Sequence, residues 1–106
     1  MNKFERMNNN KLFNFSDEII SFLKGIEYKL NSEDDIVSVL QKVYFSKNGL
    51  YYTYINIGID RVSYYKEYNC GGCVDRGGFE IPEVAKYDLD KFIDFMGEVF
   101  ENIDFE

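Results

Sequence analysis

Six tyrosines crowd the stretch from Leu50 to Arg76, which ends in Cys70-Gly-Gly-Cys73-Val-Asp-Arg76. Leu50-Tyr-Tyr-Thr-Tyr-Ile-Asn-Ile57 is made of the β-branched and aromatic residues that suit a pleated, half-buried surface. Gly58 to Arg61 reads as a turn, and Val62-Ser-Tyr-Tyr-Lys-Glu-Tyr68 as the strand that returns from it. Two strands alone are marginal in water, so the rest of the chain must cover this hairpin. The first strand carries apolar residues on both faces. One face is expected to meet helices, and the other to be covered or exposed for use.

Helical patterns flank the hairpin on both sides. Ser16 is an N-cap, with Asp17 and Glu18 in the first turn, where the helix dipole favours negative charge. Phe15 and Ile20 hold the positions of a hydrophobic staple. Ile19, Phe22, Leu23, Ile26 and Leu30 then fall on one helical face, with Gly25 inside it. Ser32 reads as the cap of a second helix, with Asp35 at the capping-box position and Ile36, Val39, Leu40 and Val43 as its buried stripe. Lys47-Asn48-Gly49 suits either the end of that helix or the turn of a hairpin whose first strand is Val43 to Ser46.

Beyond the hairpin, the glycines of Asn69 to Gly78 predict a loop, and Phe79-Glu-Ile81 a short third strand. Pro82 suits a first helical turn and Asp88 an N-cap, with Tyr87 and Phe92 as a staple. Leu89, Phe92, Ile93, Met96, Val99 or Phe100, and Ile103 give the clearest helical stripe in the chain. The expected fold is α+β in one domain over residues 1–106. Two N-terminal helices precede a small antiparallel sheet of two to three strands, and a long acidic amphipathic helix closes the chain. Residues 1–15, with five asparagines, are expected to be a polar, partly mobile start.

Charge narrows the choice of partner. Residues 1–74 hold nine acidic and nine basic side chains, whereas residues 75–106 hold ten acidic and three basic. The net charge of −7 therefore resides in the last third. A surface of that sign repels nucleic acid and anionic lipid and attracts basic protein surfaces. No direct nucleic-acid or membrane binding is expected. No apolar run is long enough to span a bilayer, and two cysteines are too few to staple a secreted scaffold. A cytoplasmic location is the expectation. Histidine is absent, which removes Ser-His and Cys-His nucleophile pairs and histidine metal sites.

Three features could carry function. Cys70-x-x-Cys73 has the spacing of half a zinc site or a redox pair, but no third cysteine and no histidine completes it. Two ordinary loop thiols are the plainer reading, with no metal or other cofactor. Cys70 and Arg76 also resemble the Cys-x5-Arg phosphate loop of cysteine-dependent phosphatases and related arsenate reductases. In those loops a thiolate attacks phosphorus while backbone N–H groups and an arginine hold the oxygens. The resemblance covers seven residues. It departs at Gly77, where the family has Ser or Thr, and at the extended segment that follows instead of a helix.

Tyrosine is the second feature. Tyr51, Tyr52, Tyr54, Tyr64 and Tyr65 cannot all enter one core from two strands, and tyrosine is frequent in interface centres. Half-exposed strand packing explains the same residues without a partner. The third feature is the polar side of the last helix. Asp90, Asp94, Glu101 and Asp104 follow one stripe with Glu98 beside it, and only Lys91 interrupts the negative charge. Like charges at i, i+4 weaken a helix by a few tenths of a kcal/mol each, roughly. The stripe is therefore either a solvated face or a surface shaped for a basic partner.

Taken together, these features predict a non-catalytic inhibitor that occludes the basic, nucleic-acid-handling surface of one protein partner, such as a nuclease, a toxin or a nucleic-acid-guided effector. The acidic stripe would stand where phosphates lie, and the tyrosines would supply apolar anchors. In size, charge and aromatic content the chain resembles immunity proteins against nuclease toxins and phage-borne anti-CRISPR inhibitors. A thiol or metal module built on Cys70, Cys73 and Arg76, and a subunit dimerising through the tyrosine face, are the other readings.

Overall fold

The computed structural model describes residues 15–30 and 39–106. Among these residues, helix α1 (Asp17–Gly25) is followed by β1 (Lys29–Leu30), β2 (Leu40–Phe45), β3 (Tyr51–Ile57), β4 (Arg61–Tyr68) and β5 (Cys73–Glu80). A single 3-10 turn (Glu83–Lys86) then leads into helix α2 (Leu89–Glu101). The strands form one five-stranded sheet in the order β1-β2-β3-β4-β5, and every neighbouring pair is antiparallel. The architecture is α+β, but it corrects the expectation of two N-terminal helices over two or three strands.

Of the two readings open for Val43 to Gly49, the hairpin is the one that forms. The first correction lies at Leu40 and Val43 as helix positions. Their i, i+3 spacing suits a helix, yet both belong to β2, where Leu40 pairs with Ile57 and Val43 with Tyr54. A short apolar run fits either period, and the strand across the turn decides between them. That turn is Lys47-Asn48-Gly49. Gly49 takes a positive φ of 73°, and the Asn48 side chain accepts from the Leu50 amide at 3.0 Å. The expected start of the second helix at Ser32, and the expectations for residues 1–14, lie outside the described residues.

The second correction is β5. Its glycines predict a loop, but Cys73–Glu80 pairs along β4, with one register shift between Lys66 and Glu67. Each glycine there is covered from across the strand. A Cβ on Gly77 would meet the Tyr64 ring at 2.7 Å, and one on Gly78 would meet Arg61 Cζ at 3.4 Å. Side chains of β4 thus fill the space that β5 leaves empty.

Helix α1 starts where the sequence places it, with Ser16 Oγ accepting from the Ile19 amide at 3.4 Å. It ends at Gly25, rather than passing through it, because Glu27 turns the chain at a φ of 71°. Leu30 consequently sits in β1. Helix α2 starts at Asp88, whose side chain accepts from the Asp90 and Lys91 amides. Tyr87 does not close over the core; it is 58% exposed and donates its hydroxyl to Glu83. Both helices lie on one face of the sheet. Ile19, Leu23, Phe92, Phe95, Met96 and Val99 share a core with Leu40, Ile55, Ile57 and Val62. Phe95 is in that core, whereas Ile93 of the expected stripe is 41% exposed.

Candidate functional site

Strand alternation divides the tyrosines between two faces. Thr53, Ile55 and Ile57 of β3 are buried toward the helices, so Tyr51 shares their side and Tyr52 and Tyr54 point the other way. Register carries this across the sheet. Tyr65 pairs with Tyr54 and therefore shares the outer face, while Tyr64 pairs with Ile55 on the helix side. The five tyrosines singled out from the sequence are thus not one surface. On the outer face the Tyr54 and Tyr65 rings stack at 4.4 Å and 14°, and Phe45 meets Tyr52 edge-on at 5.0 Å. No described helix covers that face, and Phe45 is 67% exposed. The Tyr54 hydroxyl donates to Glu67 at 3.0 Å. Desolvation first, and then the Glu67 carboxylate, raises the Tyr54 pKa above the ordinary tyrosine value; desolvation also raises that of Tyr65.

On the helix side, Tyr51 and Tyr64 do local structural work. Tyr51 stacks on Tyr68 at 5.1 Å and lies under the Lys66 ammonium, 4.3 Å from its ring centre. Tyr64 lies along β5, stacked on Phe79 with centroids 6.1 Å apart and donating to Asp75 at 3.3 Å. Lys66 itself is buried beneath the segment that follows α2. Its ammonium donates to the Glu106 carbonyl and sits 3.8 Å from the Asp104 carboxylate.

The acidic residues of α2 are exposed. Asp90, Asp94, Glu98 and Glu101 occupy the side of the helix turned from the core, and none of their carboxylates has an ion-pair partner among the described residues. From Asp90 to Glu101 the row runs about 16 Å along the helix at 1.5 Å per residue. Asp104 lies past the end of α2 and is partly committed to Lys66. Because α2 packs on the inner face of the sheet, this row and the outer aromatic face point in opposite directions. One flat partner surface can meet either, but not both.

Beside the acidic row runs an apolar groove that sequence reasoning missed. Phe22 and Ile26, from α1 and the residue after it, face Ile93, Met96, Gly97 and Phe100 of α2 across a cavity of about 230 Å³. The signal was present in the sequence: Gly97 interrupts the apolar stripe of the best helix. The helical stripe places Ile93 in the core, and only the packing of Phe95 in its stead turns it outward.

The cysteines lie elsewhere. Cys70 is in the β4–β5 turn, where Gly71 and Gly72 both take positive φ, and Cys73 opens β5; both thiols are free and exposed. Cys73 Sγ donates to the Asp75 carbonyl at 3.4 Å. The segment through Arg76 is strand and opens no helix, so the phosphate-loop geometry is not formed. Among the described residues, no cluster of three or more Cys, Asp or Glu is placed to hold a metal ion. No described helix is long and apolar enough to cross a membrane. Compared with protein families, characterised proteins and solved structures, the chain matches none of them.

Proposed function

We propose that this protein is a non-catalytic inhibitor that uses the acidic side of α2 to occlude a basic, nucleic-acid-handling surface on one protein partner. The observation that carries the reading is the row Asp90, Asp94, Glu98 and Glu101, exposed and without ion pairs among the described residues. Such a row is costly to a helix in isolation, since like charges repel at i, i+4 and anions near the C-terminus oppose the dipole. A cationic partner surface reverses both effects. It also steers the encounter and excludes nucleic acid from the same charges.

The test is capture from host lysate, with wild-type chain and the Asp94→Lys/Glu98→Lys/Glu101→Lys variant as baits. Wild type is expected to retain one basic protein in equal amount, and that protein should lose its activity on nucleic acid in the complex. The variant should fold normally and retain nothing. Equal capture by both baits would reduce the acidic row to a solvated face.

A second reading rests on the outer aromatic face, where Phe45 is exposed beside the Tyr54–Tyr65 stack. It requires a homodimer. Light scattering on wild type, Tyr52→Ala and Tyr65→Ala separates the two, because the dimer must dissociate in the variants.

A further inference from the structure

We infer that the groove between α1 and α2 is the seat of one amphipathic helix of the partner, an apolar row flanked by lysines or arginines. The inference rests on the inhibitor reading and specifies how the partner is held. The lining of Phe22, Ile26, Ile93, Met96 and Phe100 is almost wholly apolar, and Ile26 and Ile93 remain 37% and 41% exposed. At about 230 Å³ the cavity falls below the several hundred Å³ of sites for drug-sized molecules. It suits a few side chains from a helix laid between two helices, ridges entering the groove.

Gly97 is the second observation. A glycine inside a helix weakens it relative to alanine, so close packing would be its usual reason. Here a Cβ on Gly97 would meet no described atom within 4 Å. The space in front of it is left open, and Gly97 is one of the residues that line the groove.

Charge decides which helix fits. Asp90, Asp94 and Glu101 stand on the α2 flank of the groove, one helical step round from Ile93 and Gly97. Glu18 lies one turn before Phe22 on the α1 flank. The Lys42 ammonium near Ile26 is committed to that residue's carbonyl at 3.0 Å and to the Tyr44 ring. An apolar cleft with carboxylates along its rims selects a cationic amphipathic helix and rejects an acidic one.

The probe is a fluorescein-labelled leucine–lysine peptide of about five helical turns (~18 residues), leucines on one face and lysines on both flanks. Its binding to the full chain is read by anisotropy. Wild type is expected to bind it, with affinity falling as salt rises. Gly97→Leu fills the groove while improving helix propensity, so its Tm should rise as affinity drops by about tenfold or more. The Asp94→Lys/Glu101→Lys variant should also lose affinity. No binding by wild type, undiminished binding by Gly97→Leu, or equal binding of a peptide with glutamates replacing the lysines would each overturn the groove. In lysate capture, a partner kept by Gly97→Leu but lost by the α2 charge-reversal variant would overturn the groove and leave the inhibitor reading standing. The reverse pattern would overturn both the acidic occlusion and the charged rims that the groove is argued to use.

Discussion

The Tyr64 ring lies against the backbone of Gly77, so close that a Cβ there would come within 2.7 Å of its edge. This contact makes a strand of a segment whose glycines otherwise favour a loop. The ring spans from Asp75, through its hydroxyl, to Phe79, through its face. Gly77→Ala would push Tyr64 off both partners and is expected to cost about 1–3 kcal/mol, the range for overpacking. Urea unfolding of Gly77→Ala, Tyr64→Ala and the double variant measures the coupling, because the alanine should cost little once the ring is gone. Additive effects would show that the two residues do not hold β5 together.

Thr53 supplies a second test. It is 1% exposed, and its hydroxyl has no hydrogen-bond partner among the described residues. A buried, unpaired polar group costs about 1–3 kcal/mol. Thr53→Val keeps the shape and removes that cost, so the urea midpoint should rise with an unchanged m-value. A lower midpoint would mean that the hydroxyl has a partner in solution.

Lys66 is 6% exposed, and the segment after α2 covers it. The Asp104 side chain is 77% exposed, so its attraction is screened, and Asp104→Asn should cost under about 1 kcal/mol. Removing residues 104–106 takes away the carbonyl, the carboxylate and Phe105 together, and should cost about 3 kcal/mol or more. Lys66→Met in the shortened chain should restore part of that loss in thermal melts. Without such rescue, the buried ammonium is not the group that the segment serves.

Tyr28 makes stability depend on alkaline pH. Its hydroxyl lies 3.3 Å from that of Tyr44, and burial, with that hydrogen bond second, raises its pKa far above the ordinary tyrosine value of 10.0. The folded state therefore holds the proton more tightly than the unfolded chain. The resulting stability is complete below about pH 10 and declines above it, by up to ~1.4 kcal/mol per pH unit. Tyr28→Phe should flatten that decline between pH 10 and 11.5 or so, relative to wild type. Parallel slopes in denaturant titrations would place the alkaline loss on other tyrosines.

The local elements were legible wherever one residue or one pair sets them. Ser16 and Asp88 cap their helices through their own side chains, whereas Lys47-Asn48-Gly49 fits a helix end as well as a turn until β2 pairs with β3. Leu40 and Val43 were not legible in this way, because their spacing fits two periods and only Ile57 and Tyr54, paired across the sheet, choose one. β5 depended likewise on Tyr64 and Arg61, which no local pattern links to Gly77 and Gly78.

The same division holds for function. The sequence by itself determined that the charge of the last third is negative, that no histidine chemistry is available, and that tyrosine is concentrated on two adjoining strands. These are properties of composition and order along the chain. Tertiary structure alone decided that Tyr52, Tyr54 and Tyr65 face away from the acidic row, and that Phe95 takes the core position and leaves Ile93 beside an open groove at Gly97. The reason is that side-chain direction follows strand register and the rotation of α2 over the sheet. Both are set by contacts between residues far apart in the chain.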